Sequence, residues 1–117
     1  MPRKKIKIVS IASEVAPFSK TGGMGDVTRS LPKALKRLGH EVMVITPLYG
    51  KVINKKEHNL KLIQENVKIQ LDSANSVQVN YWQGYLMEEL PVYFVENVKY
   101  FSRKKTFMAP AMRMPGF

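Results

Sequence analysis

The chain has 117 residues, of which 44% are hydrophobic and 24% charged, and it contains no cysteine. Those values fit one ordinary globular domain or a piece of one, and they exclude a disordered chain, a disulfide scaffold and a thiolate metal site. Nineteen Lys and Arg against nine Asp and Glu give a net charge of +10, which raises the question of an anionic partner.

The start, "MPRKKIKIVSIASE", has an apolar run that Glu14 ends too early for a signal peptide. No stretch has the roughly 18 to 20 apolar residues of a membrane span. The expectation is a cytoplasmic protein with no membrane partner. Within this start "IKIVSIA", residues 6 to 12, is β-branched and almost continuously apolar. That pattern predicts a strand buried on both faces, as in a parallel sheet.

Next comes "SEVAPFSKTGGMGDVTRS", residues 13 to 30, with three glycines and Lys20. From it a helix is predicted to run to Gly39, which stops it. Val27, Leu31, Leu35 and Leu38 recur at helical spacing and share one face. Pro32 lies inside and cannot donate to the carbonyl of Thr28, so a kink is expected near residues 29 to 31. "EVMVITP", residues 41 to 47, is a second buried-type strand. Two such strands joined by a helix make a right-handed βαβ unit with parallel strands.

From about residue 60 the pattern changes to alternation. "LKLIQENVKIQL" and "VQVNYWQGYLM" flank the turn formers "DSAN", which predicts a β-hairpin. "LPVYFVEN", residues 90 to 97, returns to the buried type. It is expected to be a third strand of the main sheet, with the hairpin as an excursion. Glu88 and Glu89, read as strand residues, would point to opposite faces. The tail "RKKTFMAPAMRMPGF" has no periodicity and is expected to be irregular from residue 104 to 117.

The basic residues fall in four separated groups around residues 3 to 7, 33 to 37, 51 to 56 and 103 to 105, and no stacking motif of the RNA-binding kinds accompanies them. A nucleic-acid partner is therefore disfavoured against a solvated surface or one that serves a small anion. His40 and His58 have no partner at metal-ligand spacing, so neither a metal site nor a cofactor is expected.

The glycine-rich stretch carries the chemistry. Ligands of an open parallel sheet gather beyond the carboxyl ends of its strands. Gly22, Gly23 and Gly25 remove side chains that would hold a ligand away from the backbone, and the helix that follows offers unpaired N–H groups to a phosphate. A tight turn with a solvated lysine is the plainer alternative. A P-loop is excluded, because its lysine follows the glycines whereas Lys20 precedes them. The dinucleotide fingerprint lacks its last small residue, and "TPLYG" stands where an acid would hold a ribose.

The run "KIKIVSIASEVAPFSKTGGMGDVTRSLPKALKRLGHEVMVITPLYG" resembles the N-terminus of bacterial glycogen synthases and plant starch synthases. That family shows a strand, "SE" with a proline, "KTGGLGDV", "LPKAL", "GHEV" and a strand ending in "P.Y". Met24 replaces the usual leucine. "VYFVENVKYFSR" is similar to a further family segment, and after Arg103 the likeness fades. The resemblance covers residues 5 to 103, only the first quarter or so of a family enzyme.

The resemblance implies an α/β fold, namely part of the Rossmann-like N-terminal, acceptor-side domain of a GT-B glycosyltransferase. It implies transfer of glucose from ADP-glucose to the non-reducing end of an α-1,4-glucan, in the cytoplasm or in the plastid of a plant. It places Lys20, Thr21, Gly22, Gly23 and Asp26 at the donor. Asp26 has a competing role as an acid in the first turn of the helix. Glu14 would orient acceptor sugar or pair with Lys20. No catalytic residue is assigned, since the family's "HDW"-type histidine and donor-binding domain would lie beyond residue 117, and the isolated chain is expected to be inactive. The rivals are a basic α/β module that binds RNA or a phosphorylated metabolite, and a relative of sucrose synthase using UDP-glucose.

Overall fold

The computed structural model describes residues 4–101. The predicted irregular tail lies outside them. In chain order the elements are β1 (Lys7–Ile11), α1 (Gly23–Arg37), β2 (Glu41–Pro47), β3 (Lys61–Gln70), β4 (Ser76–Met87), β5 (Leu90–Glu96) and the short α2 (Val98–Phe101). The five strands form one sheet in the order β1-β2-β5-β4-β3.

β1, β2 and β5 are mutually parallel, with Ile8 opposite Val42 and Val44 opposite Val92. They form the α/β core expected of the first half of the chain. The hairpin does not leave this sheet. β4 pairs antiparallel with β5, Trp82 opposite Phe94, and β3 pairs antiparallel with β4 at the outer edge. The β3–β4 turn follows from "DSAN": Asp72 Oδ1 accepts the N–H groups of Ala74 and Asn75, both at 2.8 Å. Glu88 and Glu89 are not strand residues. They make the tight turn between β4 and β5, with Glu89 at φ 61°.

The core lies on one face of the sheet. Val42, Val44, Val92 and Phe94 alternate along β2 and β5 and are closed over by Val15, Phe18, Leu48, Tyr49, Ile53 and Leu60 from loops. Full burial of a side chain such as Phe94 contributes about 1.5–3 kcal/mol. Thr46, on the same face, is also buried, and its hydroxyl has no hydrogen-bond partner among the described residues.

Two further sequence expectations change. β1 is not buried on both faces: it is the edge of the sheet, and Val9 and Ile11 are 53% and 80% exposed. Ile8 and Ala12 pack against the core, while the face of Val9 and Ile11 has no such cover among the described residues. In α1, the face turned to the sheet is not the stripe of large residues. Val27, Leu31 and Leu38 are each more than half exposed, while Gly25 and Pro32 are buried and Leu35 packs on the core. Gly25 lies against the loop after β1, where a Cβ would meet Lys20 and the Ser19 carbonyl. Pro32 interrupts the hydrogen-bond ladder but not the helix, which runs unbroken through it.

The helix ends as predicted. Gly39 has φ +97°, its N–H donates to the Lys36 carbonyl at 2.9 Å, and the His40 N–H donates to the Leu35 carbonyl at 3.3 Å. That pair of bonds is the Schellman arrangement, which only glycine adopts without steric cost.

Candidate functional site

The loop between β1 and α1 sits at the carboxyl end of a parallel strand, the end outside which open α/β sheets bind ligands. Its path is set from inside. Val15 and Phe18 enter the core, the Val15 N–H donates to Ser19 Oγ at 3.2 Å, and the Ala16 N–H donates to the Gly25 carbonyl at 3.0 Å. The Ala16–Pro17 peptide bond is cis. Phe18 meets the ring edges of Phe94 and His58 at centroid distances of 5.0 and 4.8 Å.

Glu14 is the hub of this loop. It is 4% exposed, and its Oε2 accepts the Thr21 N–H at 2.8 Å and the Thr21 hydroxyl at 2.7 Å. Its Oε1 accepts the Gly25 N–H at 2.9 Å, and its own carbonyl accepts the Thr28 hydroxyl at 2.5 Å. Burial pushes the carboxyl's pKa up, but the bonds from Thr21, Gly25 and Gly22 outweigh it and hold the group below the usual carboxylate range. The helix N-cap is Gly22, which has no side chain to offer. Glu14 therefore supplies the cap from elsewhere in the chain, at the positive end of the helix dipole.

The other predicted residues surround this hub. Lys20 Nζ pairs with Asp26 Oδ2 at 2.9 Å, both side chains about half exposed. The alternative pairing of Lys20 with Glu14 does not form. Thr21 turns both its donors inward to Glu14. The three glycines differ in purpose. A Cβ on Gly25 would stand 3.2 Å from Lys20 Cγ and 3.3 Å from the Ser19 carbonyl oxygen, so this one is needed by packing. A Cβ on Gly22 or Gly23 would meet nothing within 4 Å. The fold of the described residues does not require those two to be glycine, whereas a ligand that approaches the backbone would.

What remains open at the turn is a set of donors. Gly25's N–H is taken, and those of Gly23 and Met24, first and second in the helix, have no partner among the described residues. Free N–H groups at the positive end of a helix suit an anionic oxygen, and the Lys20 ammonium belongs to the same turn.

Sequence reasoning did not assign roles to Tyr49 and Thr28. The Tyr49 hydroxyl donates to the Ser13 carbonyl at 2.6 Å, tying the loop after β2 to the loop after β1. Burial first, then the Glu14 charge, pushes its pKa up. Its only sequence signal was its place in "TPLYG" after the second strand. No group of three His, Cys, Asp or Glu with metal-site geometry occurs among the described residues, and no helix among them is long and apolar enough to cross a membrane.

Comparison with known proteins gives this geometry a context. The chain is 38% identical over 110 residues to a glycogen synthase of Geotalea uraniireducens, which covers 94% of this chain and 22% of that protein. It is 44% identical over 99 residues to a glycogen synthase of Syntrophotalea carbinolica, covering 84% and 20%. Its fold superposes on the catalytic domain of starch synthase IV from Arabidopsis thaliana, solved with ADP and acarbose, with a TM-score of 0.76 and 32% identity over 92% of this chain and 22% of that one. The chain thus spans about a fifth of the length of the relatives it matches. The family model of the starch synthase catalytic domain matches residues 7–114, and the chain belongs to that family.

Proposed function

We propose that this chain is the N-terminal, acceptor-side part of a glycogen or starch synthase, with residues 5 to 103 forming an incomplete Rossmann-like unit of its GT-B fold. The whole enzyme transfers glucose from ADP-glucose to the non-reducing end of an α-1,4-glucan, in the cytoplasm. The donor's diphosphate and glucose lie against the turn of Lys20, Thr21, Gly22 and Gly23, with Asp26 beside them. Lys20 and the open N–H groups of the helix end bind the leaving diphosphate more strongly as its charge grows, which favours the transition state over the ground state. Thr21 contributes shape rather than a contact, since both its donors face Glu14.

The observation that carries the reading is the pair Gly22 and Gly23, where an added Cβ would meet nothing within 4 Å, at the strand end of a chain whose fold matches an ADP- and acarbose-bound starch synthase. The donor base belongs to the donor-binding domain of the whole enzyme in this reading.

The test is a chimera. Residues 5–103 of this chain replace the matching segment of the Syntrophotalea carbinolica glycogen synthase, and incorporation of labelled glucose into glycogen is measured with ADP-glucose and UDP-glucose. Transfer from ADP-glucose is expected, with none from the 117-residue chain alone. A folded chimera that transfers no glucose from either donor contradicts the reading.

A further inference from the structure

We propose that Glu14 is a positioning residue of the donor site: its buried carboxylate takes the inner N–H groups of the glycine turn and leaves those of Gly23 and Met24 as the pair that meets the anion of a nucleoside diphosphate. This rests on the donor-site reading above and deepens it.

Four observations converge. The carboxylate is inside the protein, 4% exposed. It accepts from Thr21 through two donors and from Gly25 through one. Gly22, the N-cap, has no side chain to make a local cap. Gly23 and Met24 are exposed, and their N–H groups are the two of the first turn left without a partner among the described residues. A helix end without a cap would offer its N–H groups to a ligand indiscriminately. With one carboxylate already seated there, a second anion can bind only where Glu14 does not, and Lys20 supplies the charge that offsets repulsion between the two.

Glu14 is thus a fixed internal anion that shapes where the mobile one lands. Replacing it by Gln puts an amide N–H₂ opposite either the Thr21 donors or the Gly25 donor, since each oxygen now accepts from one of them. The turn would then lose its alignment while the sheet stays intact.

The experiment follows backbone amide signals of the ¹⁵N-labelled 117-residue chain and its Glu14→Gln and Glu14→Ala variants during titration with ADP, with inorganic phosphate as the control anion. Val44 and Val92 amides report whether the sheet is intact. In the wild-type chain ADP is expected to shift the Gly23 and Met24 amides and not those of Thr21 and Gly25. In Glu14→Gln, ADP affinity falls about tenfold, the scale of one charge-assisted hydrogen bond, and amide exchange at Thr21 and Gly25 accelerates. Shifts of equal size at all four amides in the wild-type chain, or unchanged affinity in a folded Glu14→Gln, overturn the proposal and leave the donor-site reading standing. Should a variant not fold, the wild-type pattern decides alone. No response to ADP at any amide of the wild-type chain overturns the proposal, while glucose transfer by the chimera that carries residues 5–103 decides the donor-site reading separately.

Discussion

Lys20 and Asp26 hold each other across the mouth of the glycine turn, Nζ to Oδ2 at 2.9 Å, with both side chains about half exposed to solvent. An exposed pair of this kind contributes about 0–1 kcal/mol, so its place at the turn says more about charge management than about stability. Asp26→Ala should leave the urea midpoint of the chain nearly unchanged. In the chimera the same substitution should raise KM for ADP-glucose or lower kcat, because Lys20 loses its orientation and the site its carboxylate. Destabilisation well above 1 kcal/mol would show that the pair belongs to the fold instead.

A second ion pair is different. Glu96 Oε2 meets Lys55 Nζ at 2.7 Å, while its Oε1 accepts from Asn80 Nδ2 at 3.0 Å and Trp82 Nε1 at 2.8 Å. Lys55 also lies 4.2 Å over the Trp82 ring. Removing the carboxylate strands three donors at once, so Glu96→Ala should cost about 2–3 kcal/mol in urea unfolding. A loss under about 0.5 kcal/mol would mean that solvent replaces the carboxylate freely.

Buried Glu14 and partly buried Glu96 together set an acid limit. Burial pushes both Glu14 and Glu96 up, and their hydrogen bonds, with the Lys55 charge for Glu96, bring both below the ordinary value of 4.5. A depressed folded pKa adds stability that is full above the unfolded value and is lost as the pH falls through the folded one. The urea midpoint should therefore hold from about pH 7 to 5 and fall steadily below about pH 4.5. Glu14→Gln or Glu96→Gln should flatten that fall. A midpoint that declines equally in wild type and in both variants would assign the acid loss to other groups.

Much of this fold is legible in the sequence, because the strands, the hairpin turn and the Gly39 stop are written in local chemistry. What is not legible is which side of an element meets what. The spacing of Val27, Leu31, Leu35 and Leu38 shows that α1 has an apolar stripe. It does not show that of these four only Leu35 packs on the core while Gly25 and Pro32 are buried, since burial of a glycine or a proline leaves no hydrophobic signal. Likewise "IKIVSIA" reads as a strand with two covered faces, and only the strand order shows that β1 is an edge.

The site divides in the same way. Lys20, the glycines and Asp26 stand out by composition and order. Glu14 caps a helix whose Gly25 lies eleven residues downstream, beyond the two or three residues over which N-caps are normally read.

Thr46 offers a separate check on the core. Its hydroxyl is buried without a partner among the described residues, on the face that carries Val44 and Phe94. Thr46→Val keeps the shape and removes the unsatisfied group, so the variant should be as stable as the parent or about 1 kcal/mol more so. A loss above about 1 kcal/mol would show that the hydroxyl is hydrogen-bonded in solution.

Gly84, paired with Val92, tests packing on the same core face. A Cβ there would come within 2.6 Å of Leu60 Cδ2 and 3.4 Å of Phe94 Cε2. Leu60 is itself buried and can yield only by disturbing its neighbours. Gly84→Ala should destabilise the chain by about 1–3 kcal/mol. No change in urea midpoint would mean that Leu60 has a second rotamer available.

The role of the glycine turn is tested most directly by Lys20→Ala in the chimera that carries residues 5–103, assayed for glucose transfer from ADP-glucose to glycogen. Lys20 should act on the departing diphosphate, so kcat/KM for ADP-glucose is expected to fall by about 10²–10³, the scale of one lost donor to developing negative charge, with KM for glycogen unchanged. A folded Lys20→Ala chimera with kcat/KM for ADP-glucose equal to that of the parent would contradict a donor site at this turn.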